Sequence, residues 1–293
     1  MRIVSLLPSA TEIVYALGLD EQLVGVSFEC DEPPQARHDH PVVVSGLDTH
    51  GLTPGQIDAA VRARVASGED LYTLHAAALQ PLAPDLVLTQ DLCQVCALPA
   101  GEVDAALAYL GCRAEVVTLD PSRLSDVLAT IELVGQRAGI PDRAKGFANG
   151  LRDRLAAVSH AVAGRARPRV AVLEWTDPPF SAGHWVPDLV TAAGGQSVLG
   201  EAGGRSAELS WAAVTAAEPE LVLVAPCGFH LSDAVDQARS VLDQLPNSIP
   251  VWAIDADGLV VRPGPRLVDG VEAIASILHP DVVGPSPSVQ QVR

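Results

Sequence analysis

The chain has 293 residues, which is enough for two lobes of about 120 to 150 residues, each with its own core. Its 36 acidic and 19 basic residues give a formal net charge of −17, which repels nucleic acid and anionic membrane surfaces and excludes nucleic acid as a partner. No apolar stretch approaches the roughly 18 residues of a membrane span, so we expect no membrane insertion. Residues 1–18 carry Pro8 and Glu12 inside their apolar stretch, so we expect no signal peptide and a cytoplasmic location.

Residues 1–120 predict an N-terminal α/β lobe in which short apolar strands alternate with helices. A strand at 2–6 leads into a helix at 10–17, with Ser9 and Glu12 as a capping box and Gly18 as the left-handed stop. Continuous apolar runs of this length are typical of parallel strands that are covered on both faces. Further strands are predicted at 24–27, 41–45, 85–89 and 114–119, and further helices at 54–65, 71–79 and 99–110.

Residues 121–164 predict a helical spine that Pro141 interrupts, and residues 165–280 predict a second α/β lobe. Residues 281–293 predict a frayed tail. The predicted fold is therefore α/β, with two Rossmann-like lobes around parallel sheets, joined by the spine, and a ligand cleft between them. The second lobe has predicted strands at 170–175, 221–225, 251–254 and 259–261, and predicted helices at 186–193, 211–217, 231–245 and 266–278.

Candidate ligand-binding residues follow the predicted strands, because open parallel sheets bind ligands beyond the carboxyl ends of their strands. Arg262 and Arg266 flank a Pro-Gly-Pro turn at a helix start, where an anion would be held well. The remaining candidates in these loops are Glu29, Gln90, Trp175, Phe180, His184, Trp185 and Phe229.

Four of the five cysteines also fall in these loops. Cys93 and Cys96 have the two-residue spacing that suits a metal or a redox couple, and Cys30 could supply a further soft ligand for zinc or iron. Cys227 is an additional candidate ligand if the lobes close. The alternative, in which each cysteine is a small buried side chain, stays open. Cys112, in a helix-to-strand turn at the opposite end of the sheet, fits that alternative best.

Candidate catalytic groups are Glu29, Glu174 and His184, which could act as a general base or a proton carrier beside a bound metal. Each has a simpler interpretation. The two carboxylates fit a hydrated acidic rim, and an isolated histidine beside a tryptophan is more often a packed side chain with one hydrogen bond.

The chain resembles the class III substrate-binding proteins with a helical backbone, and among them the vitamin B12-binding components of cobalamin importers. The resemblance covers residues 1 to about 280. It is carried by IVSLLPSATE at 3–12, VGV at 24–26, DEPP at 31–34, PDLV at 84–87, DPPF at 177–180, AGG at 193–195, PELV at 219–222 and PR at 265–266.

This resemblance implies two rigid lobes with one ligand between them and aromatic residues against the corrin ring. Phe180 matches such an aromatic position and Arg266 matches a cleft-side arginine, whereas Gln90 replaces an aromatic residue of the relatives. Relatives dock on a permease through one surface glutamate per lobe. The aligned positions here are Ala77 and Ala212, so we expect no transporter docking.

Two functional hypotheses follow. The first is a cytoplasmic binding protein for a corrinoid such as cobalamin, or for a related metal complex. The alternative is a metal-dependent enzyme that uses Cys30, Cys93 and Cys96 on the same scaffold. A third interpretation, a thiol oxidoreductase, lacks a thioredoxin-like core around the cysteine pair. The fold resemblance supports the first hypothesis, and the sequence favours it over an enzyme.

Overall fold

A computed structural model describes residues 1–91 and 100–293, and the chain forms two compact units. The N-terminal unit comprises Met1–Pro121 and Leu128–Ala148, and the C-terminal unit comprises Ser122–Val127 and Asn149–Arg293. Each unit is built on a sheet of mostly parallel strands with helices in the connections, which confirms the predicted α/β class.

A six-stranded sheet forms the middle of the N-terminal unit. Strands β1 and β5 are buried along their whole length, as their apolar runs predict. The strands lie in the order β4-β3-β2-β1-β5-β6, and all neighbours are parallel except β3 and β4. A topological switch point therefore lies between β1 and β5. The bounds of β1 to β6 are Ile3–Ser5, Leu23–Ser27, Val42–Gly46, Tyr72–Leu74, Leu86–Thr89 and Glu115–Thr118.

The first helix begins earlier than the sequence predicts. It starts at Pro8, whose fixed φ suits the first helical turn, and Leu7 precedes it without a side-chain cap. The predicted capping box of Ser9 and Glu12 is therefore wrong. Such a box forms instead at the third helix, between Thr53 and Gln56. Helices α1 to α5 are Pro8–Ala16, Gln35–Asp39, Pro54–Ser67, Ala76–Leu79 and Ala100–Leu110.

The predicted helix at 71–79 is wrong in its first half. Tyr72–Leu74 form strand β4, which pairs antiparallel with the end of β3, and only Ala76–Leu79 are helical. The ring of Tyr72 lies 6.2 Å from the ring of Phe28. Pairing at the sheet edge and this aromatic contact outweigh the local helical preference of the segment.

The segment predicted as a spine consists of two helices, α6 at Leu124–Arg137 and α7 at Pro141–Ala161. They are separated at residues 138–140, where Gly139 adopts a left-handed conformation. A Cβ atom at Gly135 would lie 2.1 Å from the Cβ of Ala144, so the helices approach too closely there for any side chain. The boundary between the two units runs through both helices.

The C-terminal unit also contains a six-stranded sheet. Its main path runs β12-β11-β10-β7-β8, and β9 pairs with the start of β7. Strands β7, β10 and β11 are parallel, whereas β8 and β12 pair antiparallel with their neighbours. The bounds of β7 to β12 are Arg169–Thr176, Pro179–Ser181, Gln196–Ser197, Leu221–Val224, Val251–Ile254 and Val289–Gln291.

Apolar side chains of this sheet and its helices form one core, which includes the buried residues Leu173, Val222 and Ala238. Among the described residues, no helix combines the length and apolarity that a membrane span requires. Helices α8 to α12 are Val186–Ala192, Trp211–Ala216, Leu231–Ser240, Ala256–Leu259 and Leu267–Leu278.

Two predictions for this unit differ from the structure. The predicted strand at 259–261 is absent, because Asp255 caps a short helix, α11, by accepting a hydrogen bond from the Gly258 amide. The tail, predicted to fray, ends in β12, which pairs with β11. The side chain of Arg293 also donates to the carbonyl oxygens of Leu242 and Pro246, so backbone and side chain together hold the terminus.

Candidate functional site

An aromatic pair lies at the carboxyl end of the sheet in the C-terminal unit. Trp175 is near the end of β7 and Phe229 follows β10, and their half-buried rings are 5.8 Å apart at an angle of 50°. The indole nitrogen of Trp175 donates to the carbonyl oxygen of Asp177, at 3.0 Å. Phe180 on β8 is the cross-strand partner of Trp175. Three of the predicted aromatic residues therefore share one edge of this unit.

His230, which was not among the predicted site residues, directly follows Phe229 in the chain. Its Nδ1 atom is 3.0 Å from Oδ1 of Asp255, and its side chain is 59% exposed. An ionised carboxylate can only accept, so the contact with Asp255 places a hydrogen on Nδ1, while the other ring nitrogen, Nε2, faces Oδ2 of Asp257 at 3.9 Å. Asp255 and Asp257 follow β11 directly, so the position of acidic residues after a strand was the signal that could have identified this site.

The two arginines predicted to hold an anion differ in their surroundings. Nη2 of Arg262 pairs with Oδ2 of Asp257, an atom that is also 3.9 Å from Nε2 of His230. The charge of Arg262 is therefore already balanced by a carboxylate. Arg266 lies at the N-cap of α12, and its Nη1 atom approaches the backbone of Gly258.

Glu174 and His184, the predicted catalytic groups of this unit, are tied to a loop. The Glu174 carboxylate accepts hydrogen bonds from the Gly183 amide, at 3.0 Å, and from the Ser206 hydroxyl. The His184 amide donates to Gly204 at 2.6 Å. Burial and, to a lesser degree, the charge of Arg205 lower the pKa of His184 below its ordinary value. These contacts give the two residues a role in holding the loop at 183–206.

Trp185 is almost wholly buried, and its indole nitrogen donates to the carbonyl oxygen of Val260 at 2.8 Å. Its ring lies 5.7 Å from the ring of His184. Trp185 is therefore packed against the segment after α11 and has little surface to offer a ligand.

The N-terminal unit has a buried cluster of small polar side chains at the carboxyl ends of β1 and β2. The Thr11 hydroxyl lies 2.8 Å from Oγ of Ser5 and 3.0 Å from Sγ of Cys30, and Ser27 approaches the same sulfur at 3.4 Å. All four residues are at most 1% exposed. Cys30 is thus enclosed by hydroxyl groups below the edge of the sheet.

The other predicted site residues of the N-terminal unit are Gln90, Glu29, Cys93 and Cys96, and the structure describes the first two. Gln90 follows β5 and is buried, whereas Glu29 follows β2 and is half-buried. Cys93 and Cys96 lie outside the described residues, so the metal cluster that they would form with Cys30 stays a prediction.

The two remaining cysteines lie in different units, as do the two alanines at the positions inferred for transporter docking. Cys227 is exposed at the carboxyl end of β10, and Cys112 is half-buried against the core of the N-terminal unit. Ala77 lies in α4 and Ala212 in α9, at the positions where relatives were expected to carry docking glutamates.

Residues 3–256 match the family model described as periplasmic binding protein. A vitamin B12-binding protein of Vibrio cholerae is 27% identical over 283 residues, which cover 94% of this chain and 88% of the relative. The solved periplasmic vitamin B12-binding protein BtuF of V. cholerae has a TM-score of 0.68 at 25% identity, covering 94% of this chain and 96% of that one.

A periplasmic heme-binding protein, RhuT of Roseiflexus sp. RS-1, has the same fold, with a TM-score of 0.70 at 24% identity over 96% of this chain and 98% of that one. These solved relatives are named as periplasmic proteins, which does not support the expected cytoplasmic location, and that location stays a prediction. They also weigh against the expectation that the chain has no transporter partner, although Ala77 and Ala212 lack the carboxylates inferred for docking.

Proposed function

The chain belongs to the periplasmic binding protein family, and we propose that the carboxyl edge of its C-terminal unit binds a flat organic metal complex of the corrinoid or heme class. The observation that carries this proposal is the contact of His230 with Asp255 beside the ring pair of Trp175 and Phe229. Family membership supports binding of a small molecule. The names of the relatives support both ligand classes and do not choose between them.

The aromatic pair suits the flat face of a macrocycle. Half-buried tryptophan and phenylalanine rings offer large apolar surfaces to a ligand. These side chains lose little conformational entropy when the ligand covers them. Trp175 is further held by its hydrogen bond to Asp177. This hydrogen bond within the protein restrains the ring, and such restraint reduces the ordering cost of binding.

The histidine suits the metal. A metal-binding imidazole commonly donates its second ring N–H to a carboxylate, which fixes the ring and raises the basicity of the other nitrogen. The contact of His230 with Asp255 has this arrangement, and the imidazole, which is 59% exposed, would bind the metal through Nε2. Iron and cobalt both accept imidazole nitrogen. Arg266, at the start of α12, is placed to contact acidic or amide groups at the rim of a macrocycle.

Binding should be tested by absorption titrations with hydroxocobalamin and with hemin. His38→Gln is the matched control for His230→Gln, because His38 also contacts a carboxylate, that of Asp39, but is 88% exposed in the other unit. We expect one of the two complexes to bind with the spectral shift of imidazole coordination. His230→Gln should remove the shift and weaken binding by about tenfold, whereas His38→Gln should change neither.

Absence of saturable binding by either complex would contradict the proposal. An unchanged spectrum and affinity in His230→Gln would contradict the role of the histidine in it. The enzyme hypothesis gains no support from the described residues, since Cys30 is enclosed and the Glu174 carboxylate is held by loop contacts.

A further inference from the structure

The C-terminal unit has an open cavity of about 380 Å³ beside the short strand β9. Pro187 and Thr191, one turn apart on α8, line one wall. Gln196 and Ser197 of β9 line another. This volume lies within the range of pockets that bind small molecules.

The cavity is remote from the aromatic edge. Gln196 and Ser197 pair with Arg169 and Val170 at the start of β7, whereas Trp175 lies near the end of the same strand. At about 3.3 Å per residue, the two places are roughly 20 Å apart along β7. A ligand in the cavity would therefore occupy a site separate from the proposed site for the metal complex.

Arg167 is the one charged side chain among the described residues that line the cavity. Its Nε and Nη2 atoms both donate to the carbonyl oxygen of Gly195, at 3.2 and 2.8 Å. This contact fixes the plane of the guanidinium without neutralising it, and within the described parts of the chain Arg167 forms no ion pair. Two residues earlier, Arg165 differs, because it pairs with the carboxylate of Asp281. The cavity therefore offers an uncompensated positive charge.

The two hydroxyl groups on the wall have their hydrogens already directed to carbonyl oxygens. Thr191 donates to Pro187 at 2.9 Å, and Ser197 donates to Leu199 at 3.1 Å. Each hydroxyl oxygen therefore keeps its acceptor lone pairs, which suits hydroxyl or amino donors on a ligand. The amide of Gln196 adds both donors and an acceptor.

Part of the wall is held by a close backbone contact. Gly200 lines the cavity with a φ of 77°, and a Cβ atom there would lie 1.8 Å from the carbonyl oxygen of Ala182. This close approach packs the loop after β9 against Ala182, the residue that follows β8. Preformed walls reduce the ordering cost of binding.

We propose that this cavity is a second binding site, for a small carboxylate that also carries hydroxyl or amino groups. The carboxylate contacts the guanidinium of Arg167, and the ligand's hydroxyl or amino hydrogens are accepted by Thr191 and Ser197. Charge-assisted hydrogen bonds of this kind are the stronger ones in proteins, and arginine matches a carboxylate in geometry.

The test is a titration of the full chain with gluconate and with hexanoate, followed through the backbone amide signals of Gln196, Ser197 and Gly200. Both probes are carboxylates of the same chain length, and only gluconate carries hydroxyl groups. We expect gluconate to shift these signals saturably at millimolar concentration and hexanoate to bind several-fold more weakly. Arg167→Gln should weaken gluconate binding by about tenfold or more, whereas Arg165→Gln, with a similar substitution outside the cavity, should leave it unchanged.

Thr191→Val removes the hydroxyl with little change of shape, so it should weaken gluconate and leave hexanoate unaffected. The proposal is overturned if gluconate shifts none of the three amides, if Arg165→Gln weakens binding as much as Arg167→Gln, or if hexanoate binds as tightly as gluconate. Thermal melts of each variant confirm that it is folded. Binding of the metal complex should be unchanged in Arg167→Gln, which separates this result from the test of the proposed function.

Discussion

Nη2 of Arg262 lies 2.5 Å from Oδ2 of Asp257, and the two side chains are only 11% and 8% exposed. The pair links α11 to the segment that leads into α12. Charges in such surroundings are tolerated because each neutralises the other, and removal of one partner leaves the other buried without compensation. The main role of the pair is therefore to stabilise the loop beside His230. The charge of Arg262 is used within the protein and not for a ligand.

Asp257→Asn should lower the free energy of unfolding by about 3–5 kcal/mol, because it removes a carboxylate charge that faces the largely buried Arg262 guanidinium. Urea denaturation followed by circular dichroism measures this change. Asp236→Asn is the control, since Asp236 pairs with Arg239 on an exposed face of α10 and should change stability little. Equal effects in the two variants would show that burial of the Arg262 pair contributes nothing.

The lowered pKa of His184 predicts a pH-dependent stability. Burial first, and the Arg205 charge second, lower this pKa from 6.5, so the unfolded chain takes up a proton at a higher pH than the folded protein does. The free energy of unfolding should therefore fall as the pH drops through 6.5 toward the lowered pKa of the folded state. Above that pH range, the folded protein keeps the full stability that a neutral His184 allows.

His184→Asn should reduce the loss of stability between about pH 7.5 and about pH 5.5, and asparagine tolerates the left-handed backbone of this position. Denaturant titrations at both pH values measure the difference. Part of the loss should remain, because burial also lowers the pKa of His40. His38→Asn, at an exposed position, should behave like the unaltered protein. If His184→Asn shows the full loss, the histidine makes no contribution to it.

Cys30 and Cys112 should respond differently to replacement by serine. Cys30 is wholly buried and hydrogen-bonded, so Cys30→Ser should lower the free energy of unfolding by about 1–3 kcal/mol, whereas Cys112→Ser, at a half-buried position, should have a smaller effect. Metal analysis of the same samples tests the predicted cluster with Cys93 and Cys96. That cluster predicts a loss of bound zinc or iron in Cys30→Ser and none in Cys112→Ser, and equal metal content in both would contradict it.

Much of the fold was predictable because parallel strands buried on both faces leave continuous apolar runs, as in β1, β5 and β10. The wrong predictions concern short segments whose secondary structure is determined by a contact with a distant part of the chain. Strand β4 depends on pairing with β3, and β12 depends on pairing with β11, and neither partner is close in sequence. The short helix α11 depends on a single cap by Asp255. The apolar residues at 259–261 predicted a strand there instead.

The candidate site was predictable in part for the same reason. Residues after parallel strands share one edge of a sheet, so Trp175 and Phe229 could be placed together from the sequence. The contact of His230 with Asp255 joins the ends of two neighbouring strands, and only the register of β10 and β11 brings them within 3.0 Å. Burial of Trp185 was not apparent, and burial of Cys30 was one of two open interpretations, because a loop position does not reveal which side chains turn inward.

The most direct test of the proposed function is the dissociation constant of the metal complex for the unaltered protein, Trp175→Ala and Trp211→Ala, measured by calorimetry. Trp211 is half-buried at the start of α9, so its replacement controls for the loss of an indole ring elsewhere in the same unit. The proposal predicts that Trp175→Ala weakens binding by at least about tenfold and that Trp211→Ala leaves it unchanged. Equal affinity in all three proteins would contradict binding at the edge formed by Trp175 and Phe229.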